Sequence, residues 1–161
     1  MRKILGVGLI AFVIDQIVKL VINTTVSLER SISVLGDFFQ ITYVRNYGAA
    51  FNILTGNRFF LILIACMTLF LLLFFLRKEG VKTKVEQIGY GLFIGGIVGN
   101  LWDRLIYGYV IDYLDFELFH IHMPIFNLAD VCICFGVCLC IYALLKEEFG
   151  WKSLSKKVAK D

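Results

Sequence analysis

Apolar residues along this chain gather into four long runs separated by polar or mixed segments. The first extends from about Ile4 to Ile22 and is interrupted by Asp15 and Lys19. The second, Phe59 to Leu76, has 18 residues and no charge. The third, from about Val85 to Trp102, is rich in glycine, and the fourth, from about Pro124 to Leu145, carries Asp130. A bilayer core is crossed by roughly 20 predominantly apolar helical residues, with a range of about 17–25. The pattern therefore predicts an all-α membrane protein with four transmembrane helices, over about 4–22, 59–76, 85–104 and 124–145. The second run qualifies without argument. The other three qualify if their polar residues face the bundle interior or its ends. The first run is too long for a signal-peptide core and no small-residue cleavage site follows it, so it is expected to be retained.

The segment between the first two helices is mixed. Gly36-Asp37 marks a turn, and Phe39, Ile41 and Tyr43 then alternate with Gln40 and Thr42, which predicts a strand. Arg45 to Phe51 reads as a turn leading into a short interfacial helix. The 107–123 segment reads as a solvated loop, carrying His120 and His122 near Asp115 and Glu117.

Composition strengthens the membrane reading. Of the 161 residues, 59% are hydrophobic and only 18% charged, with 15 Phe and one Pro; soluble domains are about a quarter charged. Mean hydropathy is +0.80. The length suits a single domain, 1–161. Cys66, Cys132, Cys134, Cys138 and Cys140 all fall within apolar runs, which argues against a disulfide framework. Residues two apart on a helix point to different faces, so the two Cys-x-Cys pairs are not chelates, and the cysteines read as small packing residues.

The net charge of +3 decides little, but its placement decides orientation. Eleven of the 16 basic residues lie before the first helix, between the second and third, or after the fourth. By the positive-inside rule both termini and the 77–84 loop are cytoplasmic, and the 23–57 and 107–123 segments face outward. No basic stripe lies on a polar face, so nucleic acid is not an expected partner.

Ionisable side chains at membrane depth cost at least a few kcal/mol and need partners or a function. The short list is Asp15, Lys19, Asn100, Asp103, Arg104, Asp112, Asn127 and Asp130. Asp15 and Lys19, four apart, can pair on one helical face and brace the bundle. Asn100, Asp103 and Arg104 close the third helix at the outer interface. Gly95 and Gly99 give that helix a small-xxx-small face for close approach. Asp112 follows the third helix and Asp130 opens the fourth, so both carboxyl groups are expected at one depth near the outer face. Two close carboxylates share a proton, letting one act as base toward water while the other acts as acid toward a carbonyl. Capping and ion pairing are the plainer alternative for the same residues. A metal site at His120 and His122 is a further possibility, with a solvated loop favoured over it.

Five segments in order resemble the lipoprotein signal peptidase (signal peptidase II) family. They are Asp15-Gln16-Ile17-Val18-Lys19, Arg45 to Phe51, Gly95 to Arg104, Gly108 to Tyr113, and Phe126-Asn127-Leu128-Ala129-Asp130. The resemblance implies a membrane aspartic endopeptidase that cleaves prolipoproteins before a diacylglyceryl-modified Cys. It implies a bacterial cell membrane location and a small extracytoplasmic β-cradle beside the four helices. It implies Asp112 and Asp130 as catalytic residues. Asn46, Asn100, Arg104 and Asn127 are implied as polar contacts to substrate and dyad, and Asp15, Lys19 and Asp103 as supports. No metal or cofactor is implied. The expected partners are the diacylated prolipoprotein and membrane lipid, with the protein a monomer. Where the family often has Val-Asp-Phe, this chain has Ile111-Asp112-Tyr113, which keeps size and aromaticity. The rival readings are a small carrier, a structural membrane protein held by polar contacts, and a metal-dependent hydrolase.

Overall fold

The computed structural model describes residues 1–49, 54–118 and 121–148. It contains helices α1 (Arg2–Thr25), α2 (Arg58–Glu79), α3 (Lys84–Ile106) and α4 (Leu128–Glu148). The strands are β1 (Ser31–Leu35), β2 (Phe39–Asn46), β3 (Val110–Leu118) and β4 (Ile121–His122). The helices run from 21 to 24 residues, about 30 Å or more at roughly 1.5 Å per residue.

α1, α2 and α4 are long and apolar enough to cross a membrane, with mean hydropathies of 2.2, 3.1 and 2.4. α3 has the length but not the apolarity, because Lys84, Glu86, Asp103, Arg104 and five glycines fall within it. Length and apolarity thus mark three spans, where the sequence pattern predicts four.

α3 nevertheless lies at the centre, packed along α1 on one side and α4 on the other. Its glycines make this possible. A Cβ on Gly95 would lie 2.5 Å from Gly8 O of α1, and one on Gly89 would lie 2.8 Å from Cys140 Sγ of α4. Apolar side chains gain nothing from leaving lipid, so close backbone approach and polar contacts hold such bundles together. α2 packs more lightly, through Leu61 and Leu76. Leu76 joins Ile4 and Ile94 in a cluster at one end of the bundle.

The strands form one antiparallel sheet in the order β1-β2-β3-β4 at the end where α1 finishes and α4 begins. A second cluster fastens it there: Ile22 of α1 and Val26 just after it pack with Tyr43, Ile111 and Tyr113. The turn expected at Gly36-Asp37 is present, with Gly36 at φ +53°, and β2 covers the predicted alternation. Between Ile41 and Val44 the β2–β3 register shifts by one residue, placing Val44 opposite Asp112. Such bulges re-aim neighbouring side chains.

Two sequence expectations need correction, and a third lies mostly beyond the described residues. The 107–123 segment is not a loop: it holds β3 and β4, paired by Glu117 with His122 and Leu118 with Ile121. α4 starts at Leu128, four residues later than expected, because Phe126 bridges to Leu114 of β3 and holds the preceding residues extended. The short helix expected after Arg45 falls largely on residues outside those described. Among the described cysteines none is in a disulfide; Cys132 is buried and Cys66, Cys134 and Cys138 are exposed.

Candidate active site

Asp15 and Lys19 lie one turn apart on the buried stripe of α1. Lys19 Nζ is 2.9 Å from Asp15 Oδ2, 2.9 Å from Asp103 Oδ2 and 2.9 Å from Asn100 Oδ1. Those contacts use all three ammonium protons. The carboxylates are also satisfied. Asp15 Oδ1 accepts from Ala129 N at the start of α4, and Asp103 Oδ2 accepts from Ile111 N of β3. Gln16 Nε2 donates to Asp15 at 3.2 Å and to Asp103 at 3.0 Å. Gly99 leaves room for this hub, since a Cβ there would lie 2.7 Å from Asp15 Oδ2. One buried cluster therefore ties α1, α3, α4 and β3 together. Removing one member of such a cluster exposes the others to the full cost of an unpaired buried charge, about 3–5 kcal/mol.

Directly on this hub rests a pair of amides. Asn127 precedes α4 and caps it: its Oδ1 accepts from Asp130 N at 3.0 Å, and its own backbone N donates to Asp130 Oδ2 at 3.1 Å. This is the reciprocal arrangement of a capping box, with Asp at the third helical position. Asn127 Nδ2 donates to Asp112 Oδ1 at 2.6 Å and to Asn100 Oδ1 at 3.1 Å. Asn100 Nδ2 donates to Asp130 Oδ1 at 2.7 Å. Asn46, on β2, donates to Asp112 Oδ2 at 2.9 Å. All four carboxyl oxygens of Asp112 and Asp130 thus receive an N–H donor. The amide orientations follow, because Lys19 and Asp130 N hold the two amide oxygens.

Asp112 and Asp130 line one cavity of about 470 Å³, with Asn46, Asn100 and Arg104 on its wall and Val110 and Phe126 among its apolar lining. Arg104 donates to Asn100 O at 3.2 Å and Gly48 O at 2.9 Å, tying α3 to the backbone after β2. Arg45 reaches the same cavity from its rim, its guanidinium carbon 4.8 Å from the Tyr109 ring centre. Burial first, and the Asp130 charge second, push the Asp112 carboxyl up to about 7, against the opposing donors Asn46 and Asn127. Two adjoining acidic groups, one protonated near neutrality, can hold a water and move protons to and from a carbonyl.

All nine residues expected at the site lie in this connected network. Asp15, Lys19 and Asp103 form its base, Asn100 and Asn127 its middle, and Asp112, Asp130, Asn46 and Arg104 its cavity face. Gln16 belongs to it and is missing from the sequence expectation; a polar amide beside Asp15 in an apolar run is the signal that points to it. Of the two histidines, His120 lies outside the described residues. His122 is exposed on β4 with Nε2 3.4 Å from Glu117 Oε2, away from the network. Among the described residues no group of three or more His, Cys, Asp or Glu is arranged to hold a metal ion, and no buried side-chain polar atom lacks a partner.

Known proteins share both sequence and architecture. The lipoprotein signal peptidase of Histophilus somni is 41% identical over 148 residues, covering 89% of this chain and 89% of its own. That of Halothermothrix orenii is 41% identical over 143 residues, covering 88% of this chain and 94% of its own. A bacterial membrane enzyme structure solved by the in meso method at 2.3 Å resolution superposes with a TM-score of 0.84 at 35% identity, covering 91% of this chain and 90% of that one. A second, at 1.9 Å, gives 0.81 at 35% identity, covering 91% and 94%. The profile of the family described as signal peptidase (SPase) II matches residues 7–146, and with these relatives it shows that the chain belongs to the signal peptidase II family.

Proposed function

We propose that this protein is a membrane aspartic endopeptidase that removes the signal peptide from diacylglyceryl-modified bacterial prolipoproteins, cutting before the lipidated Cys. The observation that carries the reading is the shared cavity of Asp112 and Asp130, with every carboxyl oxygen held by an N–H donor. In this reading the two aspartates are catalytic. One takes a proton from water while the other donates one to the scissile carbonyl. Asn46, Asn100 and Asn127 hold the dyad. Arg104 lines the cavity where the substrate backbone would pass, and Asp15, Lys19 and Asp103 brace the floor. No metal ion or organic cofactor is required for this chemistry.

The membrane arrangement belongs to the same proposal. α3 is the fourth span, its polar residues tolerated because they face the bundle and not lipid. Residues 1–161 form one domain, a monomer, with both termini cytoplasmic and the sheet and cavity at the outer face. A lipid-anchored helical substrate can then approach from the bilayer while water enters from outside.

The test is cleavage of a diacylated prolipoprotein followed by gel shift, comparing the wild type with Asp112→Asn and Asp130→Asn. Each variant should insert, fold and lose processing, and a chelator should leave the wild type active. Wild-type-like cleavage by either variant would end the dyad reading, and chelator-sensitive cleavage would favour a metal-dependent hydrolase.

A further inference from the structure

Asp112 and Asp130 receive equal numbers of N–H donors, but the donors differ in kind. Asp130 stands in the first turn of α4, where unpaired backbone N–H groups and the helix dipole favour negative charge. One of its donors, Asn127 N, is such a backbone group. Its other donor, Asn100 Nδ2, belongs to an amide whose oxygen accepts from Lys19 Nζ. An ammonium on that oxygen withdraws electron density from the amide nitrogen, strengthening its hydrogen bond to a carboxylate. It also fixes which end of the amide faces Asp130. Asp112 lies on a strand, where backbone dipoles largely cancel, and its donors are the side-chain amides of Asn46 and Asn127.

The surrounding charges lean the same way. From α1 the pair faces Lys19 and Asp15, from α3 Asp103 and Arg104, from β2 Arg45, from β3 the Tyr113 hydroxyl, and from α4 Cys134. Lys19 is matched by two carboxylates; its field reaches both members of the dyad, while its hydrogen-bonded link runs through Asn100 to Asp130. Among the described residues Arg104 has no carboxylate at salt-bridge distance, and its field falls more on Asp130 than on Asp112.

We propose that in the resting enzyme Asp130 holds the charge and Asp112 the proton, and that Lys19 is a positioning residue that sets this division through Asn100. The proposal rests on the dyad reading above and assigns its roles. Asp130 takes a proton from water as the new C–O bond forms, and Asp112 gives its proton to the carbonyl oxygen, producing a gem-diol. Collapse breaks the C–N bond: Asp130 passes its proton to the leaving amine, and Asp112 recovers one from a gem-diol hydroxyl. Both groups end as they began. The Asp112 carboxyl, pushed up to about 7, suits the proton-bearing member.

The measurement is the pH dependence of kcat in detergent micelles. Activity needs Asp130 ionised, which sets the acid limb, and Asp112 protonated, which sets the alkaline limb. Lys19→Met removes a stabiliser of the Asp130 carboxylate. It should move the acid limb to higher pH by on the order of one unit, and the alkaline limb much less. Asn46→Ala removes a donor to the Asp112 carboxylate and should move the alkaline limb upward, leaving the acid limb in place. The opposite assignment of shifts overturns the proposal, and so does a Lys19→Met profile that keeps the wild-type limbs. If Lys19→Met alone does not fold, the double variant Lys19→Met with Asp15→Asn removes one charge of each sign and reads the same limb. If that also fails, Asn46→Ala decides alone: an acid-limb shift, or no shift, refutes the assignment. Asp112→Asn and Asp130→Asn serve as controls, since cleavage by either would sink the dyad reading itself before the division of roles is at issue.

Discussion

α2 and α3 differ by one residue in length and by nearly everything else. α2 is the most apolar helix, with mean hydropathy 3.1, yet only Leu61 and Leu76 are buried. Phe59, Phe70 and Phe74 are 79%, 67% and 61% exposed, the condition of side chains that meet lipid. α3 falls short of the apolarity of a span, yet it buries nine residues: five glycines, two isoleucines, Asn100 and Asp103. In water the apolar helix would be the core. In a bilayer apolarity marks contact with lipid, and small and polar residues mark the centre. The site is accordingly built on the helix that hydropathy ranks last.

That contrast can be broken at several points. Asp103→Ala on α3 leaves Lys19 with one carboxylate and Ile111 N without its acceptor. The expected loss is about 3–5 kcal/mol, read as a large drop in thermal unfolding midpoint in detergent. A midpoint close to wild type would mean the hub carries little of the fold. Gly95→Val on the α1–α3 seam forces a Cβ against Gly8 O and should cost about 1–3 kcal/mol through overpacking. Its signature is a lowered midpoint with partial activity at low temperature, and an unchanged midpoint would show that the helices part freely. Phe70→Ala on α2 removes a far larger side chain from a lipid-facing position and should change stability by no more than about 0.5 kcal/mol. If it proves as damaging as Gly95→Val, α2 is not the peripheral helix its exposure indicates.

α1, α2 and α4 were legible because runs of about 20 apolar residues have few other readings. The β2 strand was legible from the alternation of Phe39, Ile41 and Tyr43. β3 carries a similar alternation, Leu114, Phe116 and Leu118 against Asp115 and Glu117, but one strand's pattern does not reveal its partner, and pairing with β2 and Phe126 is what orders this one. The apolar run alone predicts a start for α4 at about Pro124. The decisive signal lay three residues on: Asn127 and Asp130 have capping-box spacing, as do Thr83 and Glu86 at the start of α3, where Thr83 Oγ1 accepts from Glu86 N. The residue types of the site were readable as costly polarity at membrane depth. Their wiring was not, because Lys19, Asn100 and Asn127 are joined across 81 and 27 positions of chain.

In the proposed mechanism Asp112 and Asp130 converge on one tetrahedral centre. A non-cleavable peptide placed before a diacylglyceryl Cys, with its scissile carbonyl replaced by a secondary hydroxyl, measures this directly. Binding should be tight to the wild type and at least about 100-fold weaker to Asp112→Asn and to Asp130→Asn alike, since such mimics draw their affinity from the groups that hold the transition state. Equal affinity for the wild type and either variant would contradict that mechanism.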